Sequence, residues 1–356
     1  MDANLHQAML WKPLQNDADA KVQCRLCAHF CVVAPGGRGI CGVRENKNGA
    51  LVTLVRNQVA ALNLDPVEKK PLYHFLPGTR TLSLGTMGCN LSCSFCQNYS
   101  LSQPPRRGRT IRGDRLAGPE IVALARDARA ASISYTYSEP TVFFELVLET
   151  ARLAVELELY NIIVSNGFQS PECLEAWGPL IHAANIDLKA FTETFYKDQC
   201  GARLKPVLDN LKTIRAMGWW LEVTTLLIPG LNDDLQELRD MADFIARELG
   251  PDTPWHLSRF HPDHLMRDRP VTPAATLDAA RNIGMEASLR FVYVGNITVH
   301  DGTHTYCPDC RAMVLRRTDF TVSNTGLRSG ACTGCGRTVP GRGMDQLPQI
   351  LEDGQQ

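Results

Sequence analysis

Short β-rich apolar runs separated by longer amphipathic stretches recur between about residues 76 and 300. Six runs read as strands: Thr81–Thr86, Ser132–Tyr137, Asn161–Ser165, Ala184–Leu188, Leu221–Ile228 and Trp255–Phe260. The stretches between them carry helical spacing, as in Pro119–Ala130, with proline in its first turn, and Asp233–Leu249, opened by acidic residues that suit a helix N-terminus. Strand–helix repetition with right-handed crossovers predicts an α/β fold whose parallel sheet curls into a partial or full (β/α)6-type barrel. Chemistry in such barrels gathers at the C-terminal strand ends. Here those ends carry Gly85–Cys89, Tyr137–Pro140, Ser165–Gly167, Asp187–Lys189, Ile228–Gly230 and Arg259–Pro262, all rich in polar and turn residues.

The flanks follow other patterns. Residues 1–75 form an N-terminal segment with four cysteines, closing on Asp65-Pro66 and Lys69-Lys70-Pro71, which read as loop. Residues 301–356 hold a second four-cysteine segment and a polar tail. A formal net charge of −1 gives no global sign of nucleic-acid or membrane binding. With no long unbroken apolar run and no basic-then-apolar leader, the chain is expected to be cytoplasmic, away from membranes. Eleven of the 13 cysteines fall into three local clusters, and close spacing in a long leaderless chain reads as metal ligation in a reducing compartment. Cys173 and Cys200 stand apart and read as small buried residues.

The central cluster, Cys89-x3-Cys93-x2-Cys96, has no fourth cysteine nearby. Iron–sulfur cubes are held by one thiolate per iron, so three thiolates on a [4Fe–4S] cluster leave one iron open to a further ligand. The amino and carboxylate groups of S-adenosylmethionine (SAM) suit that opening. One electron from the cluster then breaks a C–S bond and yields a 5′-deoxyadenosyl radical for hydrogen abstraction. A zinc site or three unrelated core cysteines fit less well, because closed zinc sites use paired knuckles and this loop follows a first strand.

Cys307-x2-Cys310 and Cys332-x2-Cys335, separated by 21 residues, have the spacing of a four-cysteine zinc ribbon. Cys24, Cys27, Cys31 and Cys41 also read as a metal set, for which zinc and a second iron–sulfur cluster both fit, with zinc favoured. Arg106, Arg107, Arg109, Arg112 and Arg115 stand against one aspartate, Asp114, just after the central cluster. A solvated loop is the plain explanation, and docking of an acidic partner or phosphate the sharper one.

The cysteine triad with Phe95 before its third member resembles the radical SAM signature. The runs Asp65–Gly78, Gly88–Leu91 and Phe95–Asn98 resemble one branch, the AmmeMemoRadiSam system enzymes, relatives of the pyruvate formate-lyase activating enzymes. The resemblance implies that Phe95 packs near the adenine of SAM. It implies that Glu139, in the place of a Gly-Gly-Glu motif whose glycines are replaced here, meets the SAM amino group. Asn166 and Gly167 would meet the ribose, and Asp187 and Lys189 would form an Asp-x-Lys pair contacting SAM. Where the activases carry an arginine near the end of the fifth strand, this chain has Thr224. Each residue also has a structural reading: Glu139 as a helix-end carboxylate, Asn166-Gly167 as a turn, Asp187 and Lys189 as neighbours on one strand face. Among the histidines near the sixth strand, His261 is a candidate substrate contact. The resemblance further implies a reductant such as flavodoxin or ferredoxin, and Memo-like and AMMECR1-type partner proteins. Two other functions stay open: a glycyl-radical enzyme activase, and a zinc-ribbon nucleic-acid-binding protein, against which the intact triad and near-neutral charge weigh.

Overall fold

The computed structural model describes residues 6–14, 19–298 and 300–347. At its centre is an eight-stranded sheet with strands in chain order: β1 (Ala61–Pro66), β2 (Arg80–Gly85), β3 (Ser132–Tyr135), β4 (Tyr160–Ser165), β5 (Ala183–Asp187), β6 (Trp220–Leu227), β7 (Trp255–Arg259) and β8 (Val292–Gly295). From β2 onward each strand pairs parallel with the next. The crossovers contain α1 (Gly118–Asp127), α2 (Phe144–Glu156), α3 (Pro171–Trp177), α4 (Leu204–Ala216), α5 (Leu235–Phe244) and α6 (Ala274–Glu286). An unbroken strand order with crossovers of one hand keeps the helices on one face, so the other face curls around a lumen. The strands are covered on both sides, as in β3, where all four residues are buried. Local chemistry starts the helices: Asp234 accepts the N–H groups of Gln236 and Glu237 at 2.9 and 3.0 Å ahead of α5, and Pro119 sits in the first turn of α1.

Two expectations about the fold are corrected. The sheet is mixed and has eight strands, not six parallel ones. β1, in a stretch read as loop, runs antiparallel to β2 with Ala61 opposite Gly85 and Pro66 opposite Arg80. It covers the edge that the first parallel strand would leave unpaired, and Pro66 falls at its end, where a missing N–H does least harm.

The second correction concerns the N-terminal segment. Ahead of β1 it contains two small antiparallel sheets, one of Trp11–Pro13, Val22–Cys24 and Val32–Val33, the other of His6–Gln7, Ala50–Thr53 and Arg44–Lys47. Cys24, Cys27, Cys31 and Cys41 do not form a compact group of ligand atoms within it. Among the described residues, the one group of three or more His, Cys, Asp or Glu ligand atoms lying within 4.8 Å of one another belongs to Cys307, Cys310, Cys332 and Cys335, near the C-terminal end. Cys24 and Cys31 face each other across a hairpin, joined by an N–H···O bond of 2.9 Å, while Cys27 bridges to Gln169 after β4. Cys24 meets the buried Arg44 guanidinium at 3.8 Å, and Arg44 in turn pairs with buried Glu145 on α2.

The C-terminal segment has a three-stranded antiparallel sheet (Thr305–Tyr306, Met313–Thr318, Thr321–Asn324) and a hairpin of Leu327–Arg328 with Ala331–Cys332. It seats against the N-terminal ends of β6, β7 and β8. His74 bonds the Pro340 carbonyl at 2.7 Å and the Tyr293 hydroxyl at 2.6 Å, and Tyr293 reaches Thr305 at 2.9 Å. Arg317 donates to the Tyr73 carbonyl at 2.9 Å and lies 4.0 Å from the centre of the Tyr73 ring. No helix among the described residues is long and apolar enough to cross a membrane.

Candidate active site

The C-terminal strand ends open on a cavity of about 360 Å³. The loop after β2 brings Cys89, Cys93, Phe95 and Cys96 to it, and the turn after β3 brings Tyr137, Ser138 and Glu139. Asn166 comes from the end of β4, and Asp187 and Lys189 from the end of β5. The cysteine loop is docked on the segment after β5: Ser92 and Ser94 donate their N–H groups to the carbonyls of Cys200 and Gln199, both at 2.9 Å.

Each of the three thiols has a partner. Cys89 receives the Leu91 N–H at 3.4 Å and the Asn166 amide at 3.8 Å, and Cys96 meets the Ser102 hydroxyl at 3.3 Å. The Cys200 thiol, hydrogen-bonded to Cys93, pulls Cys93 below its ordinary pKa. Burial, with the Glu139 carboxylate beside it, pushes Cys89 up. Cys200 is therefore a neighbour of the central cluster and not an isolated core residue; its separation from Cys93 by 107 positions hid this in the chain. Cys173 is buried in the core.

Glu139 is buried and tightly held. Its Oε1 accepts from the Thr141 N–H at 3.1 Å, the Thr141 hydroxyl at 2.5 Å and Ser165 at 2.8 Å, and its Oε2 from the Asn166 N–H at 2.9 Å. Burial still raises its carboxyl above the usual range. The Asn166 amide donates to Asn90 Oδ1 at 2.7 Å, tying β4 to the cysteine loop. Gly167 lies behind the cavity with φ +71°, where a Cβ would stand 2.8 Å from Ile186 Cγ2, so only glycine fits that turn. Asp187 and Lys189 pair at 2.8 Å, and the ammonium lies 5.8 Å from the centre of the Phe95 ring. Burial alone would lower the Lys189 pKa; the Asp187 carboxylate, with Cys93 and Cys200, outweighs it and holds the ammonium above its usual value.

The structure places other candidates away from this cavity. His256 turns to the opposite end of the sheet, onto Glu222 at 2.6 Å, and His261 is exposed. Thr224 does face the cavity, its hydroxyl donating to Asn185 at 2.9 Å. Lys69, Tyr137 and Ser258 also line the cavity. They carry no local motif, and only their nearness to strand ends or to the Asp65–Pro71 run would have flagged them. In the C-terminal group, Cys307 and Cys335 sulfurs are 3.4 Å apart and those of Cys310 and Cys332 3.6 Å. Burial pushes the Cys307 thiol up, but the backbone N–H groups of Cys310 and Asp309 and the Cys335 thiol outweigh it and bring it to about 7.

Residues 84–245, from the end of β2 through α5, match the family model of the Radical SAM superfamily. The chain is 40% identical over 337 residues to the uncharacterized protein MJ0808 of Methanocaldococcus jannaschii, a match covering 94% of this chain and 99% of the other. Among solved structures, a domain of a pyruvate-formate lyase-activating enzyme from Bacteroides vulgatus is 16% identical with a TM-score of 0.41, covering 47% of this chain and 100% of that one. A radical SAM methyltransferase from Sphaerobacter thermophilus is 15% identical with a TM-score of 0.48, covering 82% of this chain and 77% of that one. With a family match running through the cysteine loop and the strand ends that face it, the chain belongs to the radical SAM superfamily and is an enzyme of that kind.

Proposed function

We propose that the protein holds a [4Fe–4S] cluster on Cys89, Cys93 and Cys96 and reductively cleaves SAM to begin radical chemistry on a further substrate. The supporting observation is a loop of three thiols at the end of β2 opening on a cavity lined by Glu139, Asn166 and Lys189. The sulfurs of Cys89, Cys93 and Cys96 do not form a group within 4.8 Å of one another, which a single ion would favour and a cube of four irons would not require. One buried polar atom in the cavity wall has no partner, the Ser138 hydroxyl, as expected where a bound group completes a site. Bound there, the cluster would supply the electron that breaks a C–S bond of the sulfonium.

The chain's own part is to bind and orient. Glu139 Oε2 has a single donor, so a lone pair remains for an ammonium group of SAM. Lys189, held by Asp187, offers a fixed positive charge to a carboxylate. Phe95 offers an apolar face for the adenine. The Asn166 amide is spent on Asn90 and Cys89 and its side-chain oxygen accepts the Phe168 N–H at 3.0 Å, which leaves one lone pair of that oxygen and the Gly167 turn to meet the ribose.

Zinc is the ion we propose for Cys307, Cys310, Cys332 and Cys335. Thiolates about 2.3 Å from a tetrahedral zinc stand about 3.8 Å apart, close to the 3.4 and 3.6 Å seen between sulfurs here. The branch assignment, to AmmeMemoRadiSam system enzymes related to the formate-lyase activases, rests on the runs Asp65–Gly78 and Gly88–Asn98. With it go a flavodoxin- or ferredoxin-type electron donor and Memo-like and AMMECR1-type partners. Iron and zinc analysis of oxygen-free protein, with an assay for 5′-deoxyadenosine and methionine on the same sample, tests the proposal. Iron with no SAM cleavage under strong reductant would overturn it. A glycyl radical appearing on co-incubation with a glycyl-radical enzyme would fix the substrate as a protein glycine.

A further inference from the structure

Past the end of β3 the backbone makes an unusual turn. The Ser138 N–H donates to the Thr136 carbonyl at 2.8 Å, closing a three-residue γ-turn around Tyr137, whose φ is +66°. A γ-turn with positive φ at its centre is the rarer and strained of the two forms, and a bulky side chain there is an outlier. Such strain persists only where the surroundings over-determine it.

The surroundings do so from two sides. The Tyr137 hydroxyl donates to Asp65 Oδ2 at 2.5 Å and receives the Asn63 amide at 3.0 Å, both partners on β1. Asp65 is itself fixed by Lys70 at 2.6 Å and Lys69 at 3.0 Å, and the Lys70 ammonium lies 5.0 Å from the centre of the Tyr137 ring. From the other side, the end of β2 makes room: a Cβ at Gly85 would stand 2.4 Å from the Thr136 carbonyl oxygen and 3.2 Å from Tyr137 Cβ. The turn carries Thr136 and Ser138 into the cavity wall immediately before Glu139.

We propose that Tyr137 is a positioning residue: anchored to Asp65 on the antiparallel edge strand, it holds the Thr136–Ser138 turn in its strained form, and that form aims the turn's peptide groups and the Ser138 hydroxyl at bound SAM. The proposal rests on the reading that SAM occupies this cavity. It gives β1 a task beyond covering the sheet edge, since it makes the strand that precedes the cysteine loop a support for the SAM site.

Three substitutions separate strain from anchor. Glycine adopts positive φ freely, so Tyr137→Gly loses the anchor and the strain together. Tyr137→Ala loses the anchor and keeps the strain, and Tyr137→Phe removes only the hydroxyl. Single residues held in left-handed backbone are disfavoured enough to predict that Tyr137→Ala weakens SAM binding by about tenfold. Tyr137→Phe should fall between Ala and wild type, and Tyr137→Gly should lose least, about threefold. The measurements are SAM dissociation constants by equilibrium dialysis on anaerobically reconstituted protein, and the change in the electron paramagnetic resonance spectrum of the reduced cluster when SAM is added. Iron content and melting temperature, taken on each variant, confine the reading to folded, loaded protein. Glycine binding no more tightly than alanine, or phenylalanine matching wild type in both readouts, would overturn the proposal while wild type still binds SAM. Wild type showing neither binding nor a spectral change would overturn the SAM reading of the cavity, and this proposal with it.

Discussion

Glu222, near the start of β6, and Glu139, just past the end of β3, are both buried carboxylates inside one sheet, and they are treated differently. Glu222 accepts the N–H groups of Tyr73 and His74 at 2.8–3.0 Å, the Trp220 indole at 2.9 Å and His256 at 2.6 Å. Burial would raise its carboxyl, but these partners, His256 foremost, hold it below the usual range. The network continues through His74 and Tyr293 into the C-terminal segment, so that end of the sheet is a closed polar plug. Glu139 has partners too, yet burial wins and its carboxyl stays raised, with a cavity beside it and the unpartnered Ser138 hydroxyl in the cavity wall. A carboxylate served on both oxygens by the chain, as Glu222 is, rigidifies its surroundings, whereas one beside a cavity whose wall holds an unpartnered hydroxyl is where a further group belongs. The two ends of the sheet thus divide stability from chemistry, and substitutions at each should report on different quantities.

The largest separation is between the two cysteine sets. Cys89→Ala should abolish SAM cleavage and strip most of the iron while leaving the melting temperature and the zinc content near wild type. Cys310→Ala should do the reverse, losing one metal equivalent and thermal stability while the iron stays. Metal analysis and melting curves on both variants check this, and loss of both metals in either variant would erase the division. Next in size is Glu222→Gln. An amide has one acceptor oxygen, so N–H donors now served by two carboxylate oxygens would face an NH2 group. Leaving buried donors without their acceptor costs about 1–3 kcal/mol each, together roughly 10 °C in melting temperature. SAM cleavage per folded molecule should not change.

How much of this was written in the chain depended on distance along it. Strands such as Asn161–Ser165 and Leu221–Ile228 were legible because doubly covered strands are apolar runs bounded by turn residues. β8 was missed because four residues after a helix leave too short a run. β1 was missed because its end, Asp65-Pro66, carries turn residues. The central cysteines were legible because the loop chemistry is local. The N-terminal cysteines misled, because spacing alone does not fix how closely the four sulfurs approach one another. Glu222 sits in the run Trp220-Leu-Glu-Val-Thr-Thr-Leu-Leu227, where a lone acid suggests an exposed position; apart from Trp220, its partners lie 34 to 149 residues away. The Asp65–Tyr137 contact, 72 residues apart, leaves no trace in either local pattern.

A smaller effect concerns Glu68, also on the closed side. Its Oε1 accepts the Gly78 N–H at 2.7 Å, and burial raises its carboxyl to about 7 against the partial opposition of Arg317. The unfolded chain would hold it at its ordinary 4.5. Between these values the folded state binds the extra proton, so this contribution to stability is complete below 4.5 and is lost as pH rises through 7. The span corresponds to about 3 kcal/mol. Glu68→Gln removes it, so the melting temperature of the variant relative to wild type should climb from pH 5 to pH 8. His74, lowered to about 4 by burial, acts in the opposite direction but is present in both proteins and cancels. A pH-independent difference would show that Glu68 is not held protonated.

The smallest effect tests the open end without touching a thiol. Asp187 is over a third exposed while Lys189 is largely covered, so the pair contributes little to folding and much to where the ammonium points. In Asp187→Asn the amide can still accept from Lys189 but no longer fixes it by charge, and the ammonium gains freedom to turn toward Cys93 and Cys200. Folding should be almost unaffected, within roughly 2 °C of wild type, because no buried charge is left without any partner. SAM affinity should fall by up to about tenfold, the range of a lost charge-assisted contact. SAM affinity should fall as salt rises in both proteins, and the difference between them should shrink, since the charge on Lys189 acts on an anionic group. If the variant instead melted well below wild type and bound SAM equally well, Asp187 and Lys189 would be a structural pair like those at the closed end, and the division between the two ends would not extend to β5.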